Sequence, residues 1–136
     1  MKRVLPRSIL GVSGTLLLVI GSAVLFNPES FAAANGIALP DSPSLLSEYR
    51  APGGLLIASA VLILLGAVRT RFIRLGFALA ALVYGSYGLS RLVAIAFDGM
   101  PSAALAQATA VELLLGSICL AVLLGLNRSP ANEGQR

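Results

Sequence analysis

From Phe72 to Phe97 the chain reads FIRLGFALAALVYGSYGLSRLVAIAF, and this stretch decides the fold. Its apolar residues run on for about 26 positions without strict alternation, far beyond the length of a spanning strand. At about 1.5 Å of rise per residue a helix of this length crosses a hydrocarbon core of roughly 30 Å with enough left over to tilt. Arg91 interrupts it near its far end. A guanidinium at such a depth needs a partner, so the stretch sets both the class of protein and the first question about its chemistry.

Working outward, three more apolar runs have the same character. Ser8 to Phe26 is long enough to span, and Pro52 to Val68 is short but opens on a proline, which in a first helical turn has no N–H to lose. Pro101 to Leu126 is interrupted by Glu112. The fold expected is all-α: an integral membrane four-helix bundle with antiparallel up-down topology. It forms a single four-span transmembrane domain over 1–136, with spans at about 8–26, 52–68, 72–97 and 101–126 and an outer loop at 27–51. Composition agrees, since 57% of the 136 residues are hydrophobic and only 12% are charged. The mean hydropathy of +0.88 lies well above that of a soluble domain of this size.

The charged residues fall between the runs. Lys2, Arg3 and Arg7 precede the first, Arg69, Arg71 and Arg74 separate the second from the third, and Arg128 and Arg136 follow the fourth. These three segments share one side of an even-numbered bundle, so the positive-inside rule makes both termini cytoplasmic. Glu29, Asp41, Glu48 and Asp98 take the other side, with Arg50 as the sole basic residue of the long loop. Division of the net charge of +4 among three short segments excludes a nucleic-acid partner, which needs basic residues massed on one surface. With one cysteine, Cys119, and no histidine, neither an intramolecular disulfide nor the usual haem, zinc and copper ligand sets are available, so no cofactor or metal is expected. Lys2-Arg3, the first run and Phe31-Ala32-Ala33-Ala34 together resemble a cleaved signal peptide, but the run is longer than a signal core and reads better as a retained helix.

In the long loop, Asn27-Pro28-Glu29 starts and Asn35-Gly36 stops a short helix. Phe31, Ile37, Leu39, Leu45 and Leu46 are apolar enough for the loop to lie over the outer end of the bundle as a lid, or simply to rest on the membrane surface. Gly11, Gly14 and Gly21 in the first span, Gly85 and Gly88 in the third, and Ala108 and Gly116 in the fourth are small residues of the kind that let helices approach in lipid.

Arg91 and Glu112 both fall in the outer half of the bilayer, on consecutive antiparallel spans joined by Asp98-Gly99-Met100-Pro101, and an ion pair between them is the economical expectation. Tyr84 and Tyr87 precede Arg91 by seven and four residues, within about 40 degrees of its face. Glu48, Tyr49 and Arg50 lie at the outer mouth, and Asp98 follows Arg91 by seven residues on the same face. The candidate site is therefore Glu48, Arg50, Tyr84, Tyr87, Arg91, Asp98 and Glu112. Three accounts of it stand side by side. It is a salt-bridge network that fixes helix register, or a site for a small anionic or polar ligand with Arg50 and Arg91 as donors and Glu112 as counter-ion or proton acceptor, or an interfacial group with a snorkelling arginine.

Glu48-Tyr49-Arg50-Ala51-Pro52-Gly53-Gly54, Gly88-Leu89-Ser90-Arg91, Asp98-Gly99-Met100-Pro101 and Glu112 carry a family resemblance. The chain resembles, from roughly Leu10 to Gly125, a bacterial four-helix membrane family of unknown function, domain of unknown function 4345. In that family an E-x-R-x-x-G-G motif leads into the second helix, a G-x-x-R lies near the end of the third, a D-G-x-P forms the turn and an acidic residue sits in the fourth. The architecture is also similar, more distantly, to the DoxX-like group, some of whose members are linked to sulfur or quinone-coupled redox chemistry. What the resemblance implies is a multi-pass protein of a bacterial inner (cytoplasmic) membrane with no assigned activity. No nucleophile with its base, metal set or phosphate loop is recognisable, so no enzyme is expected. The reading is a non-catalytic accessory subunit or a binder of a small polar, lipid-like or quinone-like ligand. Its expected partners are membrane lipid and either a second copy or a larger membrane complex. The alternative is a small proton-coupled transporter acting as an oligomer.

Overall fold

The computed structural model describes residues 4–128. Lys2, Arg3 and Arg136, which carry part of the orientation argument, lie outside the described residues, and so does the side chain of Arg128. The described residues fold into five α-helices: α1 (Val4–Phe26), α2 (Pro28–Ala34), α3 (Pro43–Val68), α4 (Ile73–Asp98) and α5 (Ala103–Arg128). A single 3-10 turn, Thr70–Phe72, precedes α4. The four long helices run antiparallel, each is long and apolar enough to cross a membrane, and the chain is a multi-pass membrane protein. The start of α1, the end of α5 and the α3–α4 turn lie at one end of the helices, here the terminal end. The α1–α3 and α4–α5 connections lie at the other, the loop end.

The short helix expected after Asn27 forms as α2, with Pro28 in its first turn and Asn35 at its C-cap. Gly36, at φ 77, takes the left-handed conformation that releases the chain from the helix. The second span differs from the sequence reading. It begins at Pro43, not Pro52, and Pro52 lies inside it. Pro43 serves as the first-turn proline, and Ser44 to Ala51 contains the leucines, glutamate, arginine and alanine that sustain a helix. An interior proline withholds one N–H, that owed to the carbonyl four residues back on Glu48, and its sequence neighbourhood resembles that of a first-turn proline. The outer loop is correspondingly shorter than 27–51. In α5 the start moves from Pro101 to Ala103, because Ser102 caps the helix by accepting the Leu105 N–H at 3.4 Å.

Packing is organised by pairs. α1 lies along α3, α4 lies along α5, and α3 joins the pairs by packing on α4. The α1–α3 crossing requires glycine, since a Cβ on Gly53 would stand 2.8 Å from the Leu25 nitrogen and 2.9 Å from the Gly21 carbonyl oxygen. At the α4–α5 crossing a Cβ on Gly116 would stand 2.8 Å from the Gly85 nitrogen. Close backbone approach of this kind supplies dispersion contacts that burial alone cannot provide in lipid. Leu10, Ile63, Phe77, Ala80 and Cys119 fill the core of the terminal half. Across it, the Tyr84 hydroxyl donates to the Ser13 carbonyl at 2.6 Å, and the Ser13 hydroxyl meets the Cys119 sulfur at 4.0 Å. Arg7 donates to Thr70 Oγ1 at 2.7 Å and Arg74 to the Leu126 carbonyl at 3.0 Å, closing the terminal end. The loop half holds no such core.

Candidate functional site

A cavity of about 410 Å³ occupies the loop half of the bundle. α1 contributes Leu17, Ile20 and Val24 to its wall, α3 contributes Leu45, Glu48, Tyr49, Pro52 and Leu56, and α4 contributes Val83, Tyr84, Tyr87 and Arg91. α5 adds Glu112, and Phe31 of α2 with Leu39 of the following segment covers the top. The roof is fastened across the bundle: Ser102 Oγ, at the start of α5, donates to the Asn35 carbonyl at 2.9 Å, and Asn35 Nδ2 turns back to the Phe31 carbonyl at 2.7 Å.

The expected ion pair is present. Arg91 Nε donates to Glu112 Oε2 at 2.9 Å, with the carboxylate side chain 14% exposed and the arginine 31%. Two residues on neighbouring antiparallel helices thus neutralise each other where an unpaired charge would be costly. Only one guanidinium nitrogen is engaged. The terminal nitrogens of Arg91 and the hydroxyls of Tyr49 and Tyr87 make no further hydrogen bond among the described residues, so donors converge on an otherwise apolar space. The Tyr84 ring lines the floor, but its hydroxyl is committed to Ser13 and serves packing. Thr109 is likewise committed, donating to the Leu105 carbonyl one turn back at 2.8 Å.

Five of the seven candidate residues, Glu48, Tyr84, Tyr87, Arg91 and Glu112, meet at this cavity, and two do not. Arg50 points to the opposite side of α3 and donates to the Leu25 carbonyl near the end of α1. The reason is the early start of α3: once 48–50 is helical, two residues of separation means about 200 degrees of rotation. Arg50 is a helix cap, satisfying a terminal carbonyl and placing its charge at the negative end of the α1 dipole. Asp98 shares the face of Arg91 but lies about 10 Å further along the axis, exposed, in a second groove with Ile95, Pro101 and Leu105 that Arg91 also lines.

Tyr49 enters the wall itself, where the sequence reading set it beside the mouth. The signal lies in the spacing of Leu45, Glu48, Tyr49, Pro52 and Leu56, a helical stripe that becomes visible once α3 is begun at Pro43. The apolar wall from α1 carries no such signal, because from Leu16 to Phe26 that helix is apolar apart from Ser22, and its residues suit lipid or cavity equally. Among the described residues no group of three or more His, Cys, Asp or Glu is placed to hold a metal ion.

No curated protein and no solved structure matches the chain. The profile of one family, described as Domain of unknown function (DUF4345), matches residues 5–123, which takes in the greater part of all four long helices and every wall of the cavity; the chain belongs to this family.

Proposed function

We propose that this protein is a non-catalytic binder of a small lipid-like or quinone-like amphiphile, working alone, as a homo-oligomer or as an accessory subunit of a larger membrane complex. On this reading it sits in a bacterial inner membrane with both termini in the cytoplasm, an orientation supported by Arg7, Arg69, Arg71 and Arg74 on one side of the bundle. The DoxX-like resemblance accords with an accessory role beside redox partners.

The observation that carries this reading is the cavity: about 410 Å³, apolar walls, and one internally neutralised ion pair with spare donors. Ligand pockets of this size are built in this way, with an apolar lining for the body of the ligand and a few convergent polar groups for its head. Because Arg91 and Glu112 cancel and Glu48 adds a carboxylate at the exposed flank, an anionic head is disfavoured and the head that fits best is neutral and accepts hydrogen bonds, as a quinone carbonyl does. The polar lining offers carboxylates, a guanidinium and phenols but no nucleophile beside a base, which favours binding over turnover.

The chain supplies its own reporter. It has three tyrosines and no tryptophan, and all three tyrosines line the cavity. Titrating the detergent-solubilised protein with a short-chain benzoquinone should quench tyrosine emission saturably, and Arg91→Met should weaken the apparent affinity. Quenching that rises linearly, as for free tyrosine amide in the same micelles, would refute the reading.

A further inference from the structure

We propose that the cavity is filled sideways from the bilayer, through a cleft between the loop-end halves of α3 and α4, and that its occupant is a single-chain amphiphile lying head toward the loop end. This rests on the ligand-binding reading above and adds the route and the orientation.

The route follows from the closed seams together with the exposure of the cavity wall, because α1 and α5 also touch only sparsely and exposure is what tells the sides apart. α1 and α3 touch at Gly21 and Gly53, in the loop half of α3, and α4 and α5 touch at Gly88, where an added Cβ would stand 2.8 Å from Leu113. α3 and α4 also meet through glycine, but at the terminal end, where a Cβ on Gly66 would lie 3.1 Å from the Gly76 Cα. Toward the loop end the two helices carry walls of the cavity, Glu48, Pro52 and Leu56 on α3 and Val83, Tyr87 and Arg91 on α4. Exposure of the cavity wall follows the same division. On the α1 side Leu17 and Val24 are 3% and 7% exposed, whereas on the flank of the α3–α4 cleft Leu45 is 46% exposed, Glu48 and Pro52 are exposed, and Arg91 is half-buried. Overhead, the Ser102–Asn35 bond ties α2 to α5. The open side is thus lateral, within helices that span the membrane.

Orientation follows from how polarity is layered. Beneath the apolar roof of Phe31, Leu39 and Leu45 lie Glu48 and Arg91, with Tyr87 one turn deeper and Leu17, Leu56 and Val83 below. That gradient has the direction of the adjoining leaflet, polar at the surface and hydrocarbon beneath, so an amphiphile can slide in without turning over or carrying its head through hydrocarbon.

Nanodiscs of phospholipid brominated on the acyl chain, against unbrominated controls, test the route without added ligand. The protein is the Tyr49→Phe variant, which removes the tyrosine nearest the loop end and leaves Tyr84 and Tyr87 in the wall, neither of them among the exposed residues. Brominated chains should remove most of the emission while aqueous iodide removes little. Quenching by iodide and not by brominated chains puts the mouth in water and overturns the proposal; quenching by neither shows a closed cleft and overturns it too. A protein that binds the short-chain quinone in micelles yet fails this test keeps its ligand and loses the lateral route, so the two readings fail separately.

Discussion

Replacing Arg91 by methionine and Glu112 by glutamine, singly and together, tests whether the ion pair is a unit. The carboxylate is the more deeply held partner, 14% exposed against 31% for the arginine. Arg91→Met therefore strands a charge in the bundle, and insertion energetics put that at about 3 kcal/mol. Protonating an ordinary carboxyl group at pH 7 costs about 3.7 kcal/mol, which sets a ceiling on the penalty. Glu112→Gln costs less, about 1 to 1.5 kcal/mol, because the freed arginine has a long stem that can carry its head toward water. In the double variant neither charge remains, and the cost should be close to that of Glu112→Gln alone. The coupling energy is then about 2 to 3 kcal/mol. The single Arg91→Met variant should also recover stability on acidification, since a protonated carboxyl has no charge to desolvate, whereas the double variant should show no such recovery. Reversible unfolding in mixed micelles measures all four proteins. Effects that add to within about 0.5 kcal/mol would show that the two side chains act independently, and the argument from the 2.9 Å contact would be wrong.

Gly53→Ala should destabilise by about 1 to 3 kcal/mol in the same assay, because its Cβ meets backbone atoms of α1, while Gly54→Ala, whose Cβ meets nothing within 4 Å, should be neutral or slightly stabilising. Arg50→Met should cost about 1 to 2 kcal/mol by orphaning the Leu25 carbonyl, yet leave quinone quenching unchanged; a loss of binding without loss of stability would return Arg50 to the site. Tyr84→Phe should lower stability by about 0.5 to 1.5 kcal/mol through its bond to Ser13, while Tyr87→Phe, with no intramolecular partner to lose, should leave stability intact and weaken the ligand.

The four spans were legible because length and hydropathy alone decide them, and the Arg91–Glu112 pair was legible because an antiparallel turn and a similar depth leave few other partners. What failed was a boundary. Pro52 satisfies the rule for a first-turn proline and equally well sits nine residues into a helix that Pro43 begins, and periodicity cannot separate the two when the preceding segment mixes leucine with charged residues. That single shift reassigns Arg50 from the site to a cap and brings Tyr49 into the wall. Asp98 failed for a different reason: a shared helical face was read as one site, although Asp98 sits two turns beyond Arg91 and meets it only in a second groove outside the cavity. Roof residues Phe31, Leu39 and Leu45 were recognisable as apolar, but their fastening depends on Ser102 and Asn35, residues far apart in sequence with no pattern linking them.

The two halves of the bundle answer different physical demands. In the terminal half, glycine crossings and the Phe77–Ile63–Cys119 core bring the helices to contact. In the loop half the same helices border an open-sided cavity of about 410 Å³, which whatever adjoins it, water or lipid, must fill. Water fills polar cavities, but here only one end is polar and the floor is leucine, valine and a tyrosine whose hydroxyl is already bonded. A hydrocarbon chain with a hydrogen-bonding head satisfies both ends at once, and a lateral opening lets the bilayer supply it. The Arg91–Glu112 pair then has two effects from one arrangement: it removes the cost of each charge to the fold, and it leaves the remaining Arg91 nitrogens directed to whatever enters. A variant that keeps the pair but fills the cavity floor, such as Val83→Phe, should accordingly gain stability in detergent and lose quinone quenching together. Loss of stability with binding intact would mean that the floor is packed in solution and the hollow lies elsewhere.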